Sequence, residues 1–254
     1  MTGPAPAWIT PGDPDGPDFS VCALVQSQDR HDRLVASFSR RGFSPETTEH
    51  LAADNRNGNR FDGYSWQRAL LTRARGRYVI FCHDDIELID QGQDDLLARL
   101  DDLTALDPGW SLAGIAGGRF RPKAHTRPML SFHISDIYGQ DRRRGAMPAR
   151  VETLDECFIV MRRSRPVLPS LDLSGFHFYG PDLCLQAELQ GGSAWAVDFH
   201  LRHHGRGTKG PSFADCRARF VAKYARIFPG RTLHCTTGMV TFPADGADEA
   251  GPSP

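Results

Sequence analysis

Imidazole and carboxylate side chains follow directly on an apolar stretch in the segment YVIFCHDDIEL, residues 78–88. Residues 78–82 are β-branched, aromatic or otherwise apolar, a composition typical of a buried strand, and His83, Asp84 and Asp85 come next. Because successive strand side chains point to opposite faces, we expect His83 and Asp85 to lie on the same side. Such a pair can hold one divalent cation, although a helix N-cap or an ion pair with a nearby arginine would explain the same residues.

A second group of candidate ligands lies in the segment DFHLRHHGRGTKG, residues 198–210. Three histidines follow a predicted strand there: His200, His203 and His204. Histidine is the commonest protein ligand for metals of the zinc and iron type. The glycines that follow would let backbone amides approach a phosphate group, with Arg206 and Lys209 supplying positive charge. A flexible, solvated basic loop is the alternative interpretation of this segment.

Strand-like and helix-like segments alternate along the chain. The predicted strands cover residues 19–25, 48–53, 78–82, 111–116, 157–161 and 194–199. The predicted helices cover residues 32–41, 65–75, 94–106, 181–190 and 215–228. This alternation predicts an α/β fold with a mostly parallel sheet flanked by helices. In such a sheet the ligand crevice lies beyond the carboxyl ends of the strands, so we expect the polar clusters at residues 26–29, 54–55 and 83–85 to line one crevice.

Composition excludes some function classes. The 254-residue chain has 30 Lys and Arg against 31 Asp and Glu, which gives no general attraction to nucleic acid or to an anionic membrane. The sequence has no apolar run of roughly 20 residues and no signal-like amino terminus, so we expect a cytoplasmic protein without a transmembrane segment. Residues 1–18 and 244–254 are predicted to be a disordered leader and tail around a single domain, residues 19–243.

The order of these motifs resembles that of the family-two-like glycosyltransferases of GT-A fold, in particular the bacterial branch whose metal motif reads HxD in place of DxD. The resemblance covers most of residues 19–228 and rests on short motifs in the right order. It implies a GT-A-like, Rossmann-type sheet and an inverting transfer of a sugar to a glycan or other hydroxyl acceptor. The implied donor is a UDP-, GDP- or dTDP-linked sugar, and the implied cofactor is Mn²⁺ or Mg²⁺.

The first two strand ends resemble the nucleotide-binding side of that family. The segment VCALVQSQDR is similar to the opening strand and the loop that lines the base, which puts Ser27 and Gln28 near the pyrimidine. The segment LAADNRN is similar to the second strand, whose aspartate, here Asp54, would accept a hydrogen bond from the base. Asp84 is expected to be a neighbouring contact to the donor.

Two further segments resemble the metal site of the family. WQRALLTRARGRYVIFCHDDIEL is similar to the helix, turn and metal-bearing strand, so that Asp85 takes the ligand position and His83 stands where the first aspartate often does. HHGRGT resembles the histidine-containing loop that completes the metal site. The spacing to Thr208 favours His203 over His204 as the third ligand.

The acceptor side is implied by VETLDECFIVMRR and GFHFYGPDLCLQAELQGG, which resemble the acceptor strand and the catalytic helix. On that match Asp182 is the first candidate for the general base, Asp155 the second and His177 the third. Asp182 is equally suited to a structural role in the first turn of a helix. Many relatives have an acidic residue where this chain has Gly180, so the identity of the base stays open.

Two other function classes fit the same residues. A metal-dependent nucleotide-sugar hydrolase or phosphodiesterase would use the His and Asp set to activate water, and it would cleave the donor without an acceptor. A non-catalytic nucleotide-sugar-binding protein would keep the donor side but have no working base.

Overall fold

The structure is a computed structural model of the chain that describes residues 16–121, 129–205, 207 and 210–244. The strands in these ranges are β1 (Phe19–Val25), β2 (Thr48–Asp54), β3 (Tyr78–His83), β4 (Ile86–Leu88), β5 (Trp110–Gly114), β6 (Ala116–Arg119), β7 (Met129–Asp136), β8 (Gly139–Arg144), β9 (Ala149–Val151), β10 (Thr153–Leu154), β11 (Phe158–Arg162), β12 (Ser193–Ala196), β13 (Leu201–His203), β14 (Thr232–Cys235) and β15 (Gly238–Thr241).

The helices in the same ranges are α1 (Gln28–Arg40), α2 (Ser65–Leu71), α3 (Gln93–Leu106), α4 (Tyr179–Leu189) and α5 (Pro211–Ala225). No helix of the described part combines the length and the apolar character needed to cross a membrane.

The central sheet has seven strands in the order β2-β1-β3-β11-β5-β12-β9. Strands β2, β1 and β3 are parallel to one another, and β5 is parallel to β12. Strand β11 lies antiparallel between β3 and β5, because it enters the sheet beside the carboxyl end of β3, with Phe158 opposite Cys82. The predicted α/β fold is confirmed, and the sheet contains antiparallel neighbours among its parallel strands.

Helices cover both faces of this sheet. On one face, α3 buries Leu96, Leu100 and Leu103, which recur every three or four residues and so form one apolar stripe, together with residues of α1. On the other face, α2 and α4 bury Trp66 and Leu183 against the strands. The sheet is therefore enclosed on both sides, and ligands reach it at the ends of its strands.

A second sheet begins where β3 ends. Its strands have the order β10-β6-β7-β13-β4, with β8 paired to β7. Strand β4 follows β3 after the two residues Asp84 and Asp85, and it pairs antiparallel with β13. The second sheet thus rises from the carboxyl ends of the central strands and forms one wall of a cleft there. Helix α5 packs with the β14–β15 hairpin in a third apolar cluster.

The predicted leader and tail fall almost entirely outside the described residues. Within the described part, the backbone oxygens of Pro17 and Asp18 accept hydrogen bonds of 2.9 Å from the amides of Arg77 and Tyr78. The last residues of the predicted leader are therefore attached to the start of β3.

Candidate metal centre and active-site cleft

His83, Asp85 and His203 come together beyond the carboxyl end of β3. His83 is the last residue of β3, and Asp85 lies in the turn before β4. Strand β13 pairs with β4 so that His203 is opposite Ile86, which brings the histidine beside Asp85. The antiparallel pairing of two three-residue strands thus joins ligands that are 120 residues apart in the chain.

The donor atoms of these three side chains converge. His83 Nδ1 lies 3.2 Å from His203 Nε2, which is 3.3 Å from Asp85 Oδ1. The distance from His83 Nδ1 to Asp85 Oδ1 is 3.9 Å. Ligand atoms bound about 2.1 Å from one ion lie about 3 Å apart, so these separations suit a shared cation. Asp85 Oδ1 is buried, and among the described residues no hydrogen bond of acceptable geometry reaches it. An orphaned buried carboxylate oxygen facing two imidazoles fits a divalent cation site.

Neighbouring groups hold the three ligands in place. The Tyr179 hydroxyl lies 2.9 Å from His83 Nε2, which leaves Nδ1 free to face the other two ligands. The amide of His204 donates a 3.0 Å hydrogen bond to the backbone oxygen of Asp85. At Gly205, a Cβ atom would lie 2.7 Å from Asp85 Oδ2 and 3.0 Å from His203 Nε2. A larger residue at this position would therefore displace at least one of the two ligands.

The electrostatics of the three side chains suit metal binding. Burial raises the pKa of Asp85, but the imidazoles of His203 and His83 outweigh burial and lower that pKa to about 2. Burial, together with the nearby His203, lowers the pKa of His83. Burial also lowers the pKa of His203, but Asp85 outweighs it and leaves that pKa raised. At neutral pH the carboxylate is ionised and His83 is neutral, the forms that coordinate a cation, whereas the raised pKa of His203 favours a protonated ring that must release its proton to bind one.

The side chain of His204 is not one of the three candidate ligands. It is exposed, and its Nε2 lies 3.3 Å from Glu87 Oε2 on the neighbouring strand. Its direction follows from the alternation of side chains along the chain after β13. Thr208, Arg206 and Lys209, which complete the predicted loop, lie outside the described residues.

Asp84 fastens the end of β1 to the end of β3. Its side chain is 6 % exposed, and Oδ2 accepts hydrogen bonds from the amides of Gln26 at 2.8 Å and Ser27 at 3.3 Å. Arg30 lies 3.8 Å from the other carboxylate oxygen. These contacts order the loop that carries Ser27, while direct contact of Asp84 with a donor stays a prediction.

Arg56 links the side chains of Gln28 and Asp54. The Arg56 guanidinium donates to Asp54 Oδ1 at 2.9 Å and to Gln28 Oε1 at 2.5 Å. The hydrogen bonds that Arg56 donates to Asp54 from its side chain and its backbone amide, together with its charge, lower the pKa of Asp54 to about 2. Ser27, Gln28, Asp54 and Asp84 are thus parts of one connected ledge at the ends of the first three strands; that this ledge lines one crevice with the metal ligands stays a prediction.

A cleft of about 800 Å³ opens beside the three ligands. Its polar end is lined by His83, His203, Asp155, Glu156 and Tyr179. Its other wall comes from the second sheet, the loop before α4 and the first turn of α5. It includes the apolar or aromatic residues Phe132, Ile134, Tyr138, Phe176 and Phe213 and the charged residues Asp136, Arg142 and Arg144. The cleft therefore has room for a small-molecule ligand next to the candidate metal centre.

Asp182 does not reach this cleft. Its side chain is 0 % exposed, and Oδ2 accepts a 2.8 Å hydrogen bond from the Ser170 amide. Oδ1 accepts hydrogen bonds from the hydroxyls of Ser170 at 2.5 Å and Tyr224 at 2.6 Å. Burial raises the pKa of this carboxyl, although the hydrogen bonds oppose the rise. The structure thus disagrees with Asp182 as the general base, because the carboxyl ties α4 to α5 and to the loop before α4 inside the core.

Asp155 and His177, the other two candidates, both line the cleft. Asp155 Oδ2 accepts a 2.6 Å hydrogen bond from the Thr236 hydroxyl, and Oδ1 accepts a 3.0 Å bond from the Cys157 amide. Burial raises the pKa of Asp155, but these hydrogen bonds outweigh it and leave the pKa below its usual value. Burial lowers the pKa of His177.

Sequence reasoning missed two residues of the cleft, Glu156 and the ligand-supporting hydroxyl of Tyr179. The segment LDECF does contain a signal for Glu156, since two carboxylates adjoin an apolar strand there as they do in FCHDD. Burial, with the charge of Asp155, raises the pKa of Glu156 to about 8. The two neighbouring carboxyl groups therefore differ strongly in acidity, a pattern typical of acid–base sites.

A second His/Asp group lies on the second sheet: His133, Asp141 and His200. His133 bonds Asp141 at 2.8 Å through Nε2 and Asp198 at 2.7 Å through Nδ1. The rings of His133 and His200 stack with centroids 4.3 Å apart. Hydrogen bonds satisfy these imidazoles, so the group has a structural explanation that the group around Asp85 does not have.

Comparison with known proteins shows the family of the chain. No protein-family model matches it. It is 54% identical over 239 residues to the protein "ATP synthase subunits region ORF 6" of Fuscovulum blasticum, with 94% of this chain and 96% of that protein covered. The chain belongs to the ORF 6 family. That name states no activity, so the fold and the site carry the functional argument.

Solved structures similar to this ORF 6 family member are GT-A-type glycosyltransferases. One is GalNAc-T7 with UDP, GalNAc and Mn²⁺, with a TM-score of 0.53, 12% identity and coverage of 82% of this chain and 48% of that one. Another is TarS of S. aureus, with a TM-score of 0.51, 12% identity and coverage of 82% and 40%. The chain spans less than half the length of these two proteins. At this identity the likeness shows the fold, and the fold is of GT-A type.

Proposed function

We propose that this protein is a metal-dependent, inverting glycosyltransferase that moves a sugar from a nucleoside-diphosphate donor to an acceptor hydroxyl. The observation that carries the proposal is the group His83, Asp85 and His203 at the carboxyl end of β3 in a GT-A-type fold, with Asp85 Oδ1 buried and without a good hydrogen bond from the described residues. Ligands bind at this end of α/β sheets, and two members of the group, His83 and His203, line the cleft.

The donor would bind along the ledge made by the first three strand ends. Ser27 and Gln28 lie at the start of α1, and Arg56 links Gln28 to Asp54, so hydrogen-bonding groups for a nucleotide base are gathered here. Asp84 joins this ledge to the metal-ligand group next to it in the chain. A nucleotide base bound on the ledge and a diphosphate bound at His83, Asp85 and His203 could then belong to one donor molecule, such as a UDP-, GDP- or dTDP-linked sugar.

The chemistry of transfer would take place at the polar end of the cleft. A divalent cation, Mn²⁺ or Mg²⁺, held by His83, Asp85 and His203 would stabilise the negative charge of the leaving diphosphate. Tyr179 would keep His83 oriented through its 2.9 Å contact. The acceptor would occupy the cleft, and a carboxylate at its polar end would take the proton of the attacking hydroxyl. Attack from the side opposite the diphosphate would invert the anomeric centre.

The test is a thermal-shift titration of the whole chain with UDP, GDP and dTDP, each with and without Mn²⁺. At a nucleotide concentration 100 times its Kd, binding adds about 2.7 kcal/mol to the free energy of unfolding. For a chain of this size we expect the Tm to rise by about 5–10 °C with at least one nucleotide, and only with the metal present.

Two variants make the test specific for the proposed ligands. Asp85→Asn should abolish the metal-dependent shift, whereas Asp141→Asn should preserve it, because Asp141 belongs to the other His/Asp group. If no nucleotide gives a metal-dependent shift, or if Asp85→Asn keeps the whole shift, the proposed function is wrong.

A further inference from the structure

Glu156 lines the same cleft as the candidate metal ligands His83 and His203. It lines the cleft together with Tyr179, whose hydroxyl contacts His83. The backbone amides of Phe178 and Gly180, at the start of α4, stabilise its carboxylate. An acceptor bound in the cleft would therefore share that space with the Glu156 side chain.

Gly180 makes the room that Glu156 uses. A Cβ atom at Gly180 would lie 2.5 Å from the backbone oxygen of Leu154 and 3.2 Å from Glu156 Cγ. The backbone contact cannot relax as a flexible side chain would, so a larger residue at this position would displace either the strand end or Glu156. Glycine thus lets the side chain of Glu156 lie against the first turn of α4.

We propose that Glu156 is the general base that removes the proton from the acceptor hydroxyl. The inference rests on the proposed function and names the residue that performs this step. The acceptor O–H bond breaks, its proton passes to the Glu156 carboxylate, and the acceptor oxygen bonds to the anomeric carbon. The bond from that carbon to the diphosphate oxygen breaks, and its electron pair leaves with the diphosphate. The proton on Glu156 then passes to water in the cleft.

The surroundings of Glu156 make it a strong base. Burial raises its pKa to about 8, the charge of Asp155 adds to the rise, and backbone amides oppose it. The titratable groups that interact with it from the packed elements are Asp155, Cys157, Tyr64, Tyr179, Cys184 and Cys235. A base is most effective when its pKa is close to the working pH, so Glu156 should limit the rate below about pH 8.

The other carboxyl groups suit the step less well. Both oxygens of Asp155 accept hydrogen bonds, from Thr236 and from the Cys157 amide, and its pKa is low. Asp182 is enclosed in the core. Asp155 serves instead to raise the basicity of Glu156, since its negative charge disfavours a second charge nearby.

The experiment uses the full chain with Mn²⁺ and UDP-glucose, GDP-mannose or dTDP-glucose, with water and simple methyl glycosides as acceptors. Release of the nucleoside diphosphate is measured between pH 5.5 and 9.5, and nucleotide binding is measured in parallel by thermal shift. The wild-type rate should rise with pH up to about 8 and then level off. Glu156→Gln should keep the nucleotide-induced shift, lower kcat at least about 100-fold and abolish the pH-dependent rise.

Two comparison variants separate Glu156 from its neighbour. Glu156→Asp should retain the pH-dependent rise at a reduced rate. Asp155→Asn should retain the rise but move it to lower pH, because the charge that raises the pKa of Glu156 is gone.

The outcomes distinguish the inference from the function on which it rests. If no nucleotide binds with Mn²⁺, the proposed function fails. If nucleotide binds but the wild-type chain releases no diphosphate from any donor, the proposed transferase function fails as well. If the wild-type chain is active and Glu156→Gln stays within tenfold of its rate, Glu156 is not the base. Loss of the pH-dependent rise in Asp155→Asn but not in Glu156→Gln would also overturn the assignment.

Discussion

Replacement of Glu156 by glutamine should stabilise the folded protein, and increasingly so as the pH rises. The ordinary pKa of a glutamate is 4.5, and burial with the charge of Asp155 raises the pKa of Glu156 in the folded chain to about 8. Between these values the unfolded chain loses the proton while the folded chain keeps it, so the free energy of unfolding falls as the pH rises. This loss of stability is absent below about pH 4.5 and fully present above about pH 8.

The magnitude follows from the same two values. The rise of the Glu156 pKa to about 8 corresponds to a ceiling of about 5 kcal/mol. Because the side chain lines a cleft open to water, we expect the ionised Glu156 to lower the free energy of unfolding by about 2 kcal/mol at high pH. For a chain of this size that is a Tm difference of about 4–8 °C between Glu156→Gln and wild type at pH 9.

The assay is thermal unfolding of both proteins at intervals from pH 5 to pH 9, with EDTA present so that metal binding does not contribute. The matched control is Glu46→Gln. Hydrogen bonding to Ser44 lowers the pKa of Glu46, so its Tm difference from wild type should not grow over this range. A Tm difference for Glu156→Gln that is independent of pH, or that turns against the variant at high pH, would refute the argument.

Three further changes probe the supports of the site. Asp182→Asn should lower the free energy of unfolding by about 2 kcal/mol in urea denaturation, because buried hydrogen bonds of the carboxylate are lost. It should leave kcat within a few-fold of the wild-type value. A loss of kcat without a loss of stability would make Asp182 a catalytic candidate again. Gly205→Ala should weaken Mn²⁺ binding in a metal titration, because its Cβ would lie 2.7 Å from Asp85 Oδ2; unchanged affinity would contradict the close approach. Tyr179→Phe should weaken Mn²⁺ binding about 10- to 100-fold, since His83 loses its orienting partner; unchanged affinity would show that the hydroxyl has no such role.

The central sheet could be predicted largely from the sequence because its strands are enclosed by helices. Strand β1 is predicted and observed over the same residues, and β3 differs by one residue, since near-continuous apolar runs mark strands with two buried faces. Helix α3 likewise follows its leucine spacing. Local sequence patterns are enough to predict strands and helices that are buried this completely.

The second sheet could not be predicted in the same way. Strand β8 reads GQDRRR, and four of its six residues are exposed, so its sequence is that of a solvated loop. Strands β4 and β13 have three residues each and exist because they pair with each other across the fold. Such strands depend on partners far away in the sequence, which no local pattern contains.

The candidate site could be predicted from the sequence only in part. Alternation along the chain suggested that His83 and Asp85 lie on one side, the family resemblance implied His203 as the third ligand, and the structure brings these three side chains together. The choice between Asp182 and Glu156 could not be made from types and spacing, because both are acids next to apolar segments. It depends on which carboxyl the packing of α4 against α5 encloses, and that packing encloses Asp182.

The central claim is that His83, Asp85 and His203 bind a divalent cation together with a nucleoside diphosphate. Electron paramagnetic resonance of free Mn²⁺, titrated into the full chain with UDP, GDP or dTDP present, measures this directly. We predict one tightly bound Mn²⁺ per chain with at least one nucleotide, loss of that ion in Asp85→Asn, and its retention in Asp141→Asn. Equal Mn²⁺ binding by wild type and Asp85→Asn, or no binding with any of the three nucleotides, would contradict the account.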